Sequence, residues 1–252
     1  MGSAMRALPK EMLPVAGTPV IRHVVEELAA VGICQATIVI SEGKESIREY
    51  FEGTPVPGVA VTFAYQPEPL GLGHAVVCGR GVIGDEPFMV LLGDTIIEAD
   101  TPATRQLLDV YASTPQASVL LEDVPRDQVG RYGIASGSAI ADGVIQVHSL
   151  VEKPTPEDAA STLAIAGRYI FPPAIFECLG RITPGVGGEL QLTDAMRLLL
   201  ADEPMLGVRL KGQRYDVGTE EAFIEANVAF AGETGATADD LRAQLRQRLA
   251  EM

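Results

Sequence analysis

The 252-residue sequence predicts an α/β fold in which a mainly parallel sheet is covered by helices on both faces. Uninterrupted β-branched or apolar runs alternate with helix-periodic segments through the first half of the chain. The chain is 47% apolar, which is enough to bury a substantial core. After Val129 short strands joined by glycine and serine turns replace this alternation, which indicates an antiparallel excursion over residues 130–190.

The strand–helix alternation occupies the region before residue 125. Thr18-Pro19 is typical of an N-cap followed by proline at the first helical position, and Gly32 is typical of a helix end. Residues 36–41 are uninterrupted and β-branched, as in a strand buried on both faces. Further elements are predicted as strands at 59–65, 88–92 and 119–124, and as helices at 45–51, from about 72, and at 102–112.

The second half of the chain carries the excursion and then returns to helices. Its predicted elements are strands at 132–135, 144–151, 164–171 and 206–210, and helices at 190–201 and 219–230.

The predicted domain covers residues 1–232, and residues 233–252 form a predicted helical tail. Leu241, Leu245 and Leu249 make a stripe in this tail that is too narrow to fold alone. We expect the tail to pack on the domain or on a second subunit, so a homo-oligomer, either a dimer or a tetramer, is expected.

Charge and composition exclude several classes of partner. The net charge of −15 argues against a nucleic-acid or anionic-membrane partner, because both require a basic surface. No apolar run approaches the ~20 residues that cross a bilayer, and the first residues lack a signal-peptide core. Cys34, Cys78 and Cys178 share no motif spacing, so we expect reduced, mostly buried thiols in a cytoplasmic protein.

Two aspartates follow predicted strands. Asp94 comes after strand 88–92 through Gly93, at the strand end where open α/β sheets bind ligands. Asp216 lies between a strand and a helix. Each could simply cap a turn, but two such carboxylates together suit Mg²⁺ held jointly with substrate phosphates.

Lysine is scarce in this sequence, which contains only Lys10, Lys44, Lys153 and Lys211. Lys10 lies between two prolines, and Lys153 directly precedes one. Because proline restricts backbone direction, these two side chains are candidates for aimed cations, with ordinary surface lysines as the alternative.

A glycine loop precedes the helix that is predicted from about residue 72. Gln66-Pro67 and Leu70-Gly71-Leu72-Gly73-His74-Ala75 form this loop, which can bring backbone amides against a base or a phosphate. A glycine pair alone is a weak signal, and we interpret His74 as structural.

The order of the short motifs is more specific than any one of them. They are Leu8-Pro9-Lys10-Glu11-Met12-Leu13-Pro14-Val15, Gly71-Leu72-Gly73-His74-Ala75-Val76, Leu92-Gly93-Asp94, Tyr132-Gly133-Ile134, Val151-Glu152-Lys153-Pro154, Ala166-Gly167-Arg168-Tyr169 and Glu189-Leu190-Gln191-Leu192-Thr193-Asp194. Over residues 6–230 this order resembles the sugar nucleotidyltransferases, and among them the bacterial UTP–glucose-1-phosphate uridylyltransferases.

The resemblance implies a Rossmann-like nucleotidyltransferase fold and transfer of a uridylyl group from UTP to glucose 1-phosphate, giving UDP-glucose and pyrophosphate. It also implies a role for each matching residue. These roles are nucleotide binding by Gln66, Gly71 and Gly73, triphosphate binding by Lys10, sugar-phosphate binding by Lys153, glucose binding by Gly133, Glu152 and Gly167, and Mg²⁺ binding by Asp94 and Asp216, with Lys10, Lys153 and Asp94 catalytic.

The sequence departs from the family at its start. The family begins with an apolar strand and a Gly-x-Gly-Thr/Ser-Arg loop around the nucleotide phosphates, and the residues before Ala7 do not match them. We therefore expect unpaired sheet edges, slow turnover and retained sugar binding. The alternatives are a nucleotidyltransferase with another base or sugar, and a catalytically silent regulator that binds sugar nucleotide.

Overall fold

A computed structural model of the chain describes residues 8–231. The predicted helical tail over 233–252, with its leucine stripe, lies outside the described residues.

The described part begins with a short 3₁₀-helix (Lys10–Met12) and a small hairpin. Strand β1 (Pro14–Val15) pairs with strand β2 (Thr18–Pro19), and helix α1 (Val20–Ala30) follows directly. The prediction of Thr18 as a cap and Pro19 as the first helical residue is therefore wrong, because both residues are extended and pair with β1. The hairpin turn at Ala16 and Gly17 is what draws them out of the helix, since both turn residues have positive φ.

A parallel pair of strands forms a separate sheet. Strand β3 (Gln35–Ser41) pairs with β4 (Ala60–Gln66), and α2 (Glu45–Gly53) connects them. Only Ile38 and Ile40 of β3 are buried, so the prediction of a strand buried on both faces is wrong. The reason is that one face of β3 packs in an apolar core with α1 and α2, whereas Thr37, Val39 and Ser41 on the other face are only half-buried.

The remaining elements follow in chain order. They are α3 (Leu72–Ile83), β5 (Phe88–Leu91), β6 (Thr95–Glu98), α4 (Ala103–Ser113), β7 (Ala117–Asp123), β8 (Gly133–Ala141), β9 (Val144–Glu152), β10 (Leu163–Phe171), α5 (Ile175–Leu179), α6 (Leu192–Asp202), β11 (Met205–Arg209), β12 (Gln213–Asp216) and α7 (Glu220–Phe230).

The main sheet has six strands in the order β5-β10-β7-β11-β9-β8. The α/β class is confirmed. The parallel share is smaller than expected, because among the described strands only β3–β4 and β7–β11 pair in parallel. Strand β10 causes this difference, since it returns between β5 and β7 and runs antiparallel to both.

Helices cover both faces of this sheet, as predicted. On β7, Val119 and Leu121 belong to the core that includes α5 and α6, whereas Leu120 packs with Leu107 of α4 on the opposite face. Strand β10 is buried along its whole length. The central strands are therefore packed between helices on both faces, so the ends of these strands can hold side chains in fixed positions.

Two short strands escaped prediction and matter for the site. Strands β6 and β12 pair antiparallel, with Thr95 opposite Asp216. Four residues are too few to show a strand period.

Within residues 8–231 the outer edges of β3 and of β5 are among several sheet edges that no other strand covers.

The structure bears on the expected burial of the cysteines and on the expected lack of a membrane-crossing segment. Cys178 is buried and Cys78 is half-buried, but Cys34 is exposed. None of the helices within 8–231 combines the length and the apolar character that a membrane crossing requires.

Candidate active site

Asp94 and Asp216 lie side by side at the β6–β12 pair. Asp216 is the last residue of β12 and pairs with Thr95, the residue after Asp94. The backbone N–H of Val217 donates to the Asp94 carbonyl at 3.2 Å. The structure thus places next to each other in the backbone the two aspartates that the sequence marked as a metal pair, and both act on the charge of Lys10.

Lys10 reaches the same place from the short 3₁₀-helix (Lys10–Met12) before β1. Its Nζ forms an ion pair with Asp94 Oδ2. Burial alone would lower the pKa of Lys10, but the carboxylate of Asp94, followed by Glu11 and Asp216, outweighs burial and raises it. Lys10 is therefore a protonated cation at neutral pH, aimed at the carboxylate pair.

The donor set at this place fits Mg²⁺. The side chains of Asp94 and Asp216 are 18% and 32% exposed, so each has oxygen surface available to a ligand. Within residues 8–231 no group of three or more His, Cys, Asp or Glu side chains gathers into a metal cage. An open two-carboxylate set is the arrangement that Mg²⁺ takes when substrate phosphates complete its coordination.

A second cluster forms where β8, β9 and α6 meet. Gly133 pairs with Glu152 across β8 and β9. Thr193 Oγ1, in the first turn of α6, donates to Glu152 Oε2 at 2.6 Å. A Cβ at Gly133 would lie 2.9 Å from Thr193 Oγ1 and 3.1 Å from Glu152 Oε2, so this carboxylate needs a glycine opposite it.

Lys153 follows Glu152 in a strained backbone conformation. Its φ is +46°, which is rare for a residue with a side chain and is disfavoured further before proline. Its N–H donates to the Tyr132 carbonyl at 3.0 Å, and its Nζ lies 3.8 Å from Glu152 Oε1. Such strain persists where the surroundings fix the chain, and it is frequent at functional sites.

Gly167 contacts the first cluster from a bulge in β10. Its φ is +77°, and the register of β10 against β7 shifts between Ile165 and Tyr169. The Gly167 carbonyl accepts from the Leu92 N–H at 3.0 Å, and a Cβ at Gly167 would lie 3.1 Å from Leu92 Cδ1. This glycine therefore packs against the turn that carries Asp94.

Arg214 forms a connection between the two clusters. Its guanidinium carbon lies 4.5 Å from the centroid of the Tyr132 ring, and its Nη1 lies 4.0 Å from Asp216 Oδ2. Its Nε forms an ion pair with Glu122. Burial raises the pKa of Glu122, and the ion pair offsets this rise only in part. Arg214 thereby joins the Tyr132–Lys153 corner to the aspartate pair.

The glycine loop has a structural explanation for its polar residues. Gln66 Nε2 donates to the Gly71 carbonyl at 3.1 Å and lies 3.2 Å from His74 Nδ1. His74 Nδ1 also lies 3.0 Å from the Glu68 carbonyl oxygen. These contacts close the turn between β4 and α3, which agrees with the structural interpretation of His74.

The two glycines of the loop allow a close backbone approach. Gly71 has φ +104°, and a Cβ there would lie 2.7 Å from Glu189 Cβ. A Cβ at Gly73 would lie 2.7 Å from the Leu190 carbonyl oxygen, which also accepts the Gly73 N–H at 2.8 Å. Packing thus accounts for both glycines, and their contact with a nucleotide stays a prediction.

Three residues at the site were not assigned a role from the sequence. Thr193 and Arg168 lie inside quoted motifs, which was the available signal, but nothing local distinguishes them from their neighbours. Arg214 lies in a strand that was not predicted, so the sequence offered no signal for it.

Comparison with known proteins identifies relatives over nearly the whole chain. Residues 5–233 match the family model described as nucleotidyl transferase. A UTP–glucose-1-phosphate uridylyltransferase of Bacillus subtilis is 38% identical, with 99% of this chain and 90% of the relative covered. A protein of the same name from Pseudomonas aeruginosa is 39% identical, with 88% of each chain covered.

Solved structures give the same picture. A UDP-glucose pyrophosphorylase complexed with UDP-glucose superposes with a TM-score of 0.87 at 34% identity, covering 92% of this chain and 93% of that one. A UTP-bound UGPase from Acinetobacter baumannii superposes with a TM-score of 0.84 at 30% identity, covering 96% and 92%.

Proposed function

The chain belongs to the nucleotidyl transferase family, and from that premise we propose that it transfers the uridylyl group of UTP to glucose 1-phosphate, giving UDP-glucose and pyrophosphate. Both the curated relatives and the structural neighbours carry the names of enzymes of this reaction.

The observation that carries the proposal is one continuous line of contacts. The backbone N–H of Lys153 donates a hydrogen bond to the Tyr132 carbonyl, and the guanidinium of Arg214 lies over the Tyr132 ring. Arg214 also faces the carboxylate of Asp216, which lies beside Asp94. Lys153, the cation for the sugar phosphate, and Lys10, the cation for the triphosphate, thus stand at the two ends of this line of contacts. Two polyanions held there would meet phosphate to phosphate, as transfer requires.

The reaction makes modest chemical demands on the protein. A phosphate oxygen of glucose 1-phosphate attacks the α-phosphorus of UTP, a new O–P bond forms, and the bond to the β-phosphate oxygen breaks to release pyrophosphate. This oxygen is already anionic near neutral pH, so no general base is needed. In our proposal Lys10 and Lys153 align the two anions and offset their repulsion.

The sugar is recognised by the cluster around Glu152. Its carboxylate accepts hydrogen bonds from glucose hydroxyls, while Thr193 keeps one of its oxygens in place. Gly133 and Gly167 serve this cluster indirectly, because Gly133 lets Glu152 and Thr193 pack against its backbone and Gly167 lets Leu92 do the same. We assign the sugar-binding role to the antiparallel portion over 130–190 within a nucleotidyltransferase domain over 1–232.

We further infer that the nucleotide lies against the glycine loop, with Gln66 and Gly71 at the uracil and Gly73 behind them. The bonds that close this turn fix the Gln66 amide before any ligand arrives. A preformed amide can discriminate among bases at little cost in conformational entropy.

Mg²⁺ would be held by Asp94 and Asp216 together with substrate phosphates. Bound there, it supplies charge neutralisation for the phosphates. Lys10 keeps its own positive charge beside the carboxylates, so this protein contributes one cation to the same cluster.

A substrate panel tests the proposed function. UTP, dTTP, CTP, ATP and GTP are each combined with glucose 1-phosphate and with other sugar 1-phosphates, and released pyrophosphate is measured. We expect UTP with glucose 1-phosphate to give the highest kcat/KM. Preference for another pair would overturn the specificity, and binding of UDP-glucose without any turnover would overturn the enzymatic role.

A further inference from the structure

We propose that the buried ion pair between Arg168 and Glu27 is a positioning pair, which fixes the turn carrying Asp94 and the glycine bulge at Gly167. The inference rests on the proposed function, because Asp94 and Gly167 are the site residues that the pair serves. Arg168 is 0% exposed, so it acts through its neighbours and not on a ligand.

The guanidinium of Arg168 holds two backbone carbonyls next to site residues. Its Nη1 donates to the Gly167 carbonyl at 3.1 Å, and its Nη2 donates to the Thr95 carbonyl at 3.0 Å. Both acceptors lie in the chain directly beside the residues of interest, since Thr95 follows Asp94. One rigid planar group therefore ties the β10 bulge to the start of β6.

The turn that carries Asp94 is held at both ends by the same two residues of β10. At its first end the Leu92 N–H donates to the Gly167 carbonyl at 3.0 Å, and at its last end the Thr95 carbonyl accepts from Arg168. Asp94 lies between these two anchors. A shift of the guanidinium would move the carboxylate of Asp94 and the Gly167 carbonyl together.

Glu27 of α1 keeps the guanidinium in place. Its Oε2 accepts from Arg168 Nη2 at 2.7 Å, and its Oε1 accepts from the Thr104 N–H at the start of α4 at 2.8 Å. The carboxylate thus links α1, α4 and β10 at one point.

The residue type supports a positioning role over simple packing. A buried charge is expensive, and apolar side chains of similar volume often replace buried ion pairs with no loss of stability. Only arginine offers several donors in a fixed plane that reach one carboxylate and two carbonyls at once. We infer that the fork is needed for the geometry of the turn.

Three variants of the full chain test the pair. Arg168→Met removes the guanidinium but keeps a long unbranched side chain, and Arg168→Lys keeps the charge without the fork. Glu27→Gln removes the charge but leaves an oxygen that can accept from Thr104. The measurements are kcat, KM for both substrates, and binding of Mn²⁺ alone followed by electron paramagnetic resonance.

We expect Arg168→Met and Glu27→Gln to weaken Mn²⁺ binding and to lower kcat by about 10- to 100-fold each, as loss of an outer partner of a metal ligand does. The loss falls mainly on kcat, because the substrate-binding groups are all present but misaligned. Arg168→Lys recovers only part of the loss, since it cannot hold both carbonyls.

Two control variants separate positioning from general stability. Arg105→Met removes an arginine of α4 that lies away from the site and donates to the Val31 carbonyl at 2.9 Å. Leu107→Ala opens a cavity at a fully buried position of α4 and lowers the melting temperature. Below their melting temperatures both controls should keep wild-type kcat and Mn²⁺ affinity.

The proposal is overturned if the Arg168 and Glu27 variants keep wild-type kcat and Mn²⁺ affinity, or if Leu107→Ala loses as much as they do. If Arg168→Met does not fold, Arg168→Lys and Glu27→Gln decide by the same criteria. If the wild-type chain shows no turnover, the proposed function fails, whereas Mn²⁺ titration of the variants still decides whether the pair positions Asp94.

Discussion

Thr193 Oγ1 donates a 2.6 Å hydrogen bond to Glu152 Oε2, which turns this carboxylate into a fixed acceptor at the end of β9. Glu152→Gln keeps the shape of the side chain but loses a charge-assisted acceptor worth about 1.5–3 kcal/mol. We therefore expect glucose 1-phosphate to bind at least ~10-fold more weakly, with UTP affinity little changed. Isothermal titration with each ligand measures both effects.

Two companion variants sharpen this comparison. Thr193→Val removes the hydroxyl that orients Glu152, so it should weaken sugar binding in the same direction but by less. Glu157→Gln makes the same chemical change at an exposed position and should leave both affinities at wild-type values. An unchanged sugar affinity in Glu152→Gln would refute the assignment of this residue.

The aspartate pair predicts a dependence on divalent metal. Asp94→Asn removes a charge that the ion needs while keeping the side-chain shape, so turnover should fall by about 10²-fold or more. Chelation of the wild-type chain should abolish turnover, and added Mg²⁺ should restore it.

Asp100→Asn is the matched control for the metal, because Asp100 is an exposed aspartate just after β6. It should keep both turnover and Mg²⁺ dependence. Wild-type rates in Asp94→Asn, or turnover that survives chelation, would reject the metal role of this residue.

The strained backbone at Lys153 predicts opposite effects on stability and on activity. Lys153→Gly should raise the free energy of unfolding by about 1 kcal/mol, because glycine accepts positive φ without strain. It should also lower kcat/KM for glucose 1-phosphate by about 10²-fold, since the cation for the sugar phosphate is lost. Urea titration and steady-state kinetics measure the two effects.

Ala16→Gly relieves comparable strain in the hairpin turn, where φ is +50°. It should give a similar gain in stability with unchanged kinetics. A Lys153→Gly variant with wild-type turnover would show that Lys153 does not act on the substrate.

The close approach of Leu190 predicts that the helix start at Gly73 cannot accept a methyl group. Gly73→Ala should destabilise the fold by about 1–3 kcal/mol through overpacking against the Leu190 carbonyl. Gly81 lies on the same helix with open space around it, so Gly81→Ala should raise the free energy of unfolding by about 0.5–1 kcal/mol. Equal melting temperatures for the two variants would contradict the packing account.

The thiols should differ in reactivity. Cys34 is exposed, whereas burial raises the pKa of Cys78 and of Cys178 and so lowers their thiolate fractions at a given pH. At pH 8 iodoacetamide should label Cys34 first, and Cys34→Ser should remove this rapid phase. Labelling of the other two thiols should accelerate only as the pH rises further, which mass spectrometry of timed samples would show.

The sequence predicted those elements whose pattern is local. Strand β7 and strand β10 were predicted because each is a short, largely apolar run bounded by turn residues. The prediction at Thr18-Pro19 was wrong because hairpin partners three and five residues away decided its conformation. In that case the tertiary contact outweighed the local capping preference.

The site was predictable in its parts but not in its connections. Asp94 and Asp216 were each found from strand ends, yet their proximity arises from pairing of β6 with β12, about 120 residues apart in sequence. Arg168 and Arg214 depend on distant partners such as Glu27 and Glu122. No local period reports such partners, so only the folded chain reveals them.

The bulge in β10 also constrains how the length of this strand can change. Ile165 and Tyr169 are four residues apart, whereas their partners Leu121 and Val119 are two apart, so the strand carries two additional residues there. Deletion of one of them would leave a single additional residue in the strand. On one side of the bulge every side chain would then point to the opposite face of the sheet. Loss of both would restore an even ladder but remove the Gly167–Arg168 step. The sheet therefore tolerates insertions and deletions at this point only in pairs. A chain with a paired deletion would fold, but its site would not form.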